Sequence, residues 1–198
     1  MKIVRKQPDE SAISYYVNEC EGKISEEEII NNITLMIAGG INEPRDSIGA
    51  VIYAFLALDR GDSPNGYDLN YWQDYSREVM RFFPLVGTAA RMTTQDVELG
   101  GVLLPKGEFI AGCLSSANHD EDRYEKADQF DPRRKNKQSL AFAAGPHLCM
   151  GVYVGNQELI RGCKRLNDRL LNLRFADGFE PKFHGFEFRG LDELKVTY

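Results

Sequence analysis

The chain has few cysteines, and no two of them lie close together. Cys20, Cys113, Cys149 and Cys163 are widely spaced and form no Cys-x-x-Cys pair. That excludes a zinc ribbon and a secreted disulfide framework. A long apolar run is missing too. The two longest, around Ile33–Ile41 and Ala50–Leu58, are too short to span a bilayer, and no signal-peptide pattern follows Met1. A cytoplasmic location, with no membrane or nucleic-acid partner, is the expectation. Repeats, low-complexity stretches and linker composition are also absent, so residues 1–198 read as a single domain.

Positive charge is scarce in the first part of the chain. Residues 1–78 carry 7 Lys/Arg against 14 Asp/Glu, whereas residues 133–174 carry 9 against 2. The basic block (Arg133, Arg134, Lys135, Lys137, Arg161, Lys164, Arg165, Arg169, Arg174) suggests an anionic partner, with a solvated helix face as the plainer alternative.

The hydrophobic periodicity predicts a mainly α chain with a small antiparallel β-sheet. A short helix is expected over Pro8–Glu19, with Pro8 and Asp9–Glu10 in its first turn. Ser25-x-x-Glu28 is a capping box ahead of a long helix over about 26–58, ended by the Gly/Asp/Pro/Asn-rich loop Asp59–Tyr67. A second helix is expected over about 70–83, stopping at Pro84. Short strands follow at Ala89–Thr93, Val97–Leu99, Val102–Leu104 and Phe109–Leu114. A glycine-flanked segment, 142–151, then precedes a helix to about 173.

That segment, Phe142-Ala-Ala-Gly-Pro-His-Leu-Cys149-Met-Gly151, suits a flat, metal-bearing ligand. A cysteine near a helix N-terminus faces orphan N–H groups and the positive dipole end, which favour thiolate. Gly145 and Gly151 let the backbone approach closely, and His147 and nearby arginines match carboxylates. These are the needs of a haem with an axial thiolate.

The spacing Phe-x-x-Gly-x-His-x-Cys-x-Gly resembles the haem-ligand loop of cytochromes P-450, with Ala143 standing where that family usually has glycine or another small polar residue. Glu78-Val-Met-Arg81 resembles its Glu-x-x-Arg motif, and Phe130-Asp-Pro-Arg-Arg134 the element whose arginine, here Arg134, joins that pair. Arg91 occupies the place of a haem-propionate contact. Ser116-Ala-Asn-His-Asp-Glu121 is similar to the stretch found in soluble bacterial members. A second departure is Val154-Gly155-Asn156, where the family often has Leu-Ala-Arg.

The resemblance implies the C-terminal portion of the cytochrome P-450 fold, with haem b held by Cys149. Phe142, Gly145, His147, Gly151 and Arg91 would contact the haem, and Glu78, Arg81 and Arg134 would form a structural motif. It implies monooxygenation of a small organic substrate, with electrons from a ferredoxin-like or flavin partner. A typical member is about twice this length, so a missing N-terminal half, or a homodimer, is the implied partner. The alternatives are a haem-binding or sensor module without turnover, and a haem-free interaction domain.

In the family the long helix passes over the distal face of the haem and carries small residues, then an acid and a threonine. Here it reads Ala38-Gly39-Gly40-Ile41-Asn42-Glu43-Pro44. Asn42 falls at the acid's place and Glu43 at the threonine's, or, one residue shifted, Glu43 and Pro44. The threonine is absent in either register. Gly39, Asn42 and Glu43 are therefore the candidate catalytic positions, with Glu43 a possible general base and acid on hydrogen peroxide. Two glycines and a proline cost the helix about 5 kcal/mol relative to alanine. A kink is expected there, in preference to two helices with Asn42 as a cap.

Overall fold

The computed structural model describes residues 1–58, 66–136, 138–170 and 172–198. The chain resolves into two compact units, Met1–Glu43 and Pro44–Tyr198. The loop expected at 59–67 lies mostly outside the described residues.

The first unit begins with α1 (Lys2–Lys6) and α2 (Ala12–Glu19). Helix α2 starts four residues later than the sequence pattern suggests. Ser11 caps it, its hydroxyl accepting the Ser14 N–H, while Asp9 accepts from the Ser11 N–H. Pro8, Asp9 and Glu10 therefore form the lead-in to the cap, because a hydroxyl that satisfies an orphan N–H sets the helix start. Asn18 ties the two helices, donating to Val4 O.

Helix α3 (Glu26–Ala57) is one helix with Pro44 inside it. The Ser25–Glu28 capping box is complete: the Glu28 carboxylate accepts from the Ser25 N–H at 2.7 Å, and the Ser25 hydroxyl accepts the Glu28 N–H at 3.2 Å. Those bonds, the backbone one first, hold the Glu28 carboxyl below its usual range. The apolar positions divide sharply along this helix. Ile30, Leu35, Ile37 and Ile41 are exposed, whereas Ala50, Val51, Ala54 and Phe55 are buried. Periodicity marked both stretches alike, but burial needs a facing element, and in the N-terminal stretch only Ile29 is buried.

In the second unit that stretch meets α4 (Leu69–Phe82) and α6 (Val152–Arg169). Trp72, Tyr75 and Val79 on α4 and Leu159, Ile160 and Cys163 on α6 form one core with Val51 and Phe55. Burial pushes the Cys163 thiol up to about 12, so it stays a neutral packing group. Asp68 caps α4 by accepting the Tyr71 N–H. Helix α6 ends at Arg169, short of the expected 173, and its cap Leu170 donates back to Leu166 O.

The strands do not merge into one sheet. Strand β1 (Thr88–Met92) pairs antiparallel with β4 (Phe109–Cys113), and β2 (Val97–Leu99) pairs with β3 (Val102–Leu104) around Gly100-Gly101. Both glycines take positive φ, the geometry of a tight hairpin turn. Leu114 belongs to a short helix, α5 (Leu114–Ala117). Near the C-terminus β5 (Arg174–Phe175) pairs with β8 (Val196–Thr197), and β6 (Phe183–His184) with β7 (Gly190–Leu191).

The hairpin tip between β6 and β7 is clamped on the segment leaving α4. The Gly87 N–H donates to Glu187 O at 2.9 Å, and the Arg189 N–H to Leu85 O at 2.8 Å. A Cβ on Gly87 would stand 2.0 Å from Phe186 O, so only glycine fits. Gly87→Ala is expected to destabilise the fold by about 1–3 kcal/mol, the range for overpacking a tight contact. Urea denaturation checks it, and an unchanged midpoint would mean the hairpin is not clamped there.

Candidate functional site

The second helix of this unit brings two charges into the interior. Glu78 and Arg81, one turn apart on α4, are both 0% exposed, and Arg134 is 9% exposed. Arg81 donates through Nε and Nη2 to the two Glu78 oxygens at 2.9 and 2.8 Å, a bidentate pair. Arg134 Nε reaches Glu78 Oε1 at 3.3 Å, and the same oxygen accepts the Asp131 N–H.

Two guanidinium ions share one carboxylate, so the cluster keeps an excess positive charge. Backbone carbonyls offset it. Arg81 donates to Asn118 O, Ala127 O and Gln129 O; Arg134 donates to Glu125 O, Lys126 O and Gln129 O. Lys126 sits at φ 51°, a conformation that costs an L-residue about 1–2 kcal/mol. Its own carbonyl is among those turned to the cations. The Arg81 guanidinium also lies 5.2 Å from the Tyr124 ring centroid.

Asn118 and Tyr124 relay this order toward the cysteine loop. Fully buried Asn118 accepts the Leu140 N–H at 2.8 Å through Oδ1, and Tyr124 donates to Gln138 O. Sequence reasoning passed over both. Asn118 stood inside a family-like stretch without a role, and nothing local marks either residue as a tether.

The cysteine loop starts from Phe142, which packs against the core. Its carbonyl accepts the Cys149 N–H at 2.9 Å, closing the loop. Inside it, Ala143 takes φ 56° and Gly145 φ 63°, and a short 3-10 turn spans Gly145–His147. Cys149 is exposed, and a Cβ on Gly151 would meet only Cys149 Sγ, at 3.9 Å. His147, Leu148 and Met150 are exposed around it. Arg91, on β1, is exposed with Nη1 donating to Ala90 O at 2.7 Å.

Among the described residues no group of three His, Cys, Asp or Glu could hold a bare metal ion. A lone exposed thiol suits a metal that arrives with its other ligands already in place, and the exposed apolar flanks suit a flat organic ring around it.

The remaining candidates are dispersed. Gly39 and Asn42 are exposed on α3, in the first unit, and Glu43 is half-buried with Oε2 lacking a hydrogen-bond partner among the described residues. Arg45 is engaged by Asp46 through two bonds. The basic block loses Arg134 to the buried cluster, and Lys164 pairs with Asp168 at 2.6 Å. Lys137 lies outside the described residues.

Two outcomes follow from this geometry. Glu78→Ala leaves two buried guanidinium ions without their anion, and a loss of about 3–5 kcal/mol is expected in denaturant titration. A variant as stable as wild type would show the cluster to be energetically idle. Ala143→Gly, by contrast, is expected to stabilise by about 1 kcal/mol, because glycine accepts the left-handed conformation without a Cβ penalty. A lowered melting temperature would contradict that.

The matches to known proteins cover this same region. The family model described as Cytochrome P450 matches residues 66–166. Among curated proteins the chain is 30% identical to nocardicin C N-oxygenase of Nocardia uniformis subsp. tsuyamanensis, over 98% of this chain and 50% of that protein. It is 26% identical to mycinamicin VIII C21 methyl hydroxylase of Micromonospora griseorubida, over 96% and 50%. A Bacillus megaterium cytochrome P-450 solved with testosterone superimposes with a TM-score of 0.90 at 26% identity, covering 98% of this chain and 52% of that one. The chain spans about half the length of the curated relatives it matches. Its mainly helical fold with small antiparallel sheets fits a C-terminal portion of those structures. No helix among the described residues is long and apolar enough to cross a membrane. With the family model covering half of the sequence and the same fold recurring in its solved members, the chain belongs to the cytochrome P-450 family.

Proposed function

We propose that the chain binds haem b through the Cys149 thiolate and serves the monooxygenation of a small organic substrate. The observation that carries this reading is the exposed Cys149 thiol, presented on a loop closed by the Phe142 O–Cys149 N bond. Haem held by Cys149 would supply the oxygen chemistry, with the thiolate donating electron density to the iron. The protein supplies position: Phe142 anchors the loop to the core, and the Asn118 and Tyr124 bonds hold the chain that enters it. Arg91 and His147 are the exposed groups suited to the haem carboxylates.

Electrons would come from a ferredoxin-like or flavin partner. Exposed Arg161, Arg165 and Arg169 on α6 offer an acidic donor complementary charge. On α3 the unpartnered Glu43 oxygen is the group best suited to hold a proton, since Arg45 is occupied by Asp46. The absence of threonine at 42–44 favours a second reading, a haem-binding module without turnover. Product formation with added reductant and redox partner separates the two.

The test is the absorption spectrum of the purified, haem-loaded chain, reduced under carbon monoxide. A red-shifted Soret band is expected from wild type and from Cys20→Ala, Cys113→Ala and Cys163→Ala, and its loss from Cys149→Ala. Persistence of the band in Cys149→Ala would overturn the ligand.

A further inference from the structure

Asn118 touches both the buried charge cluster and the chain that enters the cysteine loop, and it is 0% exposed. Its N–H donates to Leu114 O at 3.0 Å, its C=O accepts Arg81 Nη1 at 2.8 Å, and its Oδ1 accepts the Leu140 N–H at 2.8 Å. With its backbone fixed on both sides, the side chain cannot follow a moving partner, so Leu140 conforms to Asn118. Tyr124 is a weaker guide, because it donates to Gln138 O, two residues further from the loop on an exposed position.

Leu140 passes this order into a strained turn. The Ala143 N–H donates to Leu140 O at 2.9 Å, closing a four-residue turn. Ala143 leaves that turn at φ 56°, in the left-handed region that a Cβ disfavours. The Phe142 carbonyl, which accepts the Cys149 N–H at 2.9 Å, belongs to the peptide unit joining Phe142 to Ala143. Rotation of Ala143 out of the left-handed region turns that carbonyl away from Cys149 and opens the loop. The strain is local, and the bond that opposes it comes from a residue 22 positions away from Leu140.

We propose that Asn118 is a positioning residue for Cys149: through Leu140 its amide oxygen keeps Ala143 left-handed and so holds the thiol in place for haem. The inference rests on the proposed role of Cys149 as the haem ligand. The oxygen is the half of the amide that matters. Leu140 presents an N–H and needs an acceptor, whereas Asn118 Nδ2 is buried with no hydrogen-bond partner among the described residues. An aspartate at 118 keeps that acceptor. Its charge is tolerable beside a cluster in which two guanidinium ions share the one Glu78 carboxylate.

The experiment follows amide hydrogen exchange in the haem-free chain for wild type, Asn118→Leu, Asn118→Ser and Asn118→Asp. Leucine fills the volume without an acceptor, and the serine hydroxyl is too short to reach Leu140. Both variants are expected to speed exchange at Ala143 and Cys149 about tenfold, the effect of one lost bond to a half-buried N–H. Asn118→Asp is expected to match wild type. The Asp131 N–H, which reports on the Glu78 cluster, should exchange at the wild-type rate in all of them. Adding Ala143→Gly to Asn118→Leu should bring Cys149 to within about threefold of wild type, because glycine stays left-handed unaided. After haem loading, Asn118→Leu should lower the share of the carbonyl complex that absorbs in the red-shifted Soret band, at unchanged haem content, and Asn118→Asp should restore it. Wild-type exchange at Ala143 and Cys149 in Asn118→Leu would overturn the proposal, as would a failure of both Asn118→Asp and Ala143→Gly to rescue. Equal acceleration at Asp131 would overturn it too, by making Asn118 a general support of the fold. A wild-type chain that shows this exchange pattern but no red-shifted band would instead overturn the ligand reading and leave the tether standing.

Discussion

A carboxylate with no exposed surface, held between two guanidinium ions, organises the irregular middle of this protein. Between α5 and the cysteine loop the described residues make no long helix or sheet, so their carbonyls need other donors. Glu78 holds Arg81 and Arg134 in place, and their remaining N–H groups take up the carbonyls of Asn118, Glu125, Lys126, Ala127 and Gln129. In a low-dielectric interior the excess positive charge is bearable only because those dipoles surround it. The left-handed Lys126 is a local cost accepted to aim one of them.

From this cluster order passes outward to the exposed thiol. The bonds from the Leu140 N–H to Asn118 and from the Tyr124 hydroxyl to Gln138 O fix the approach, and Phe142 then fixes the loop from both ends, its ring against the core and its carbonyl on the Cys149 N–H. From Ala144 to Met150 every residue is then exposed. A thiol on a closed loop with buried supports can be both accessible and well placed, as the proposed metal ligand has to be. Cys163 is the counter-case on the next helix: the same side chain, fully buried, has its thiol pushed up to about 12 and is chemically quiet.

The exposed surface is as informative as the core. Apolar residues are bare on α3 from Ile30 to Ile41 and at Met92 and Phe109 on the β1–β4 pair. Patches of this kind mark contact surfaces more often than they mark isolated monomers. Relatives that match the chain over only half of their own length share the fold and carry additional polypeptide.

Much of this was legible in one dimension. Helical periodicity, the Ser25–Glu28 box, the Gly100-Gly101 turn and the cysteine-loop spacing are local signals, and each acts within a few residues of where it is written. Glu78 and Arg81 could be placed on one helix face by their i,i+3 spacing, and Arg134 named as their partner through resemblance. What spacing could not supply was burial: the same apolar pattern is core at Val51 and Phe55 and bare at Ile37 and Ile41, because burial is a property of the facing element. Nor could it show that Ala143 adopts a left-handed conformation, that four strands form two separate ladders, or that Asn118 and Tyr124 are the tethers. The tethers and the Arg134–Glu78 contact join residues 14 to 56 positions apart. Local chemistry, then, determined the helices and the turns. Tertiary packing alone decided which charges lose their water and which carbonyls face them, because desolvation and long-range pairing exist only once the chain has closed on itself.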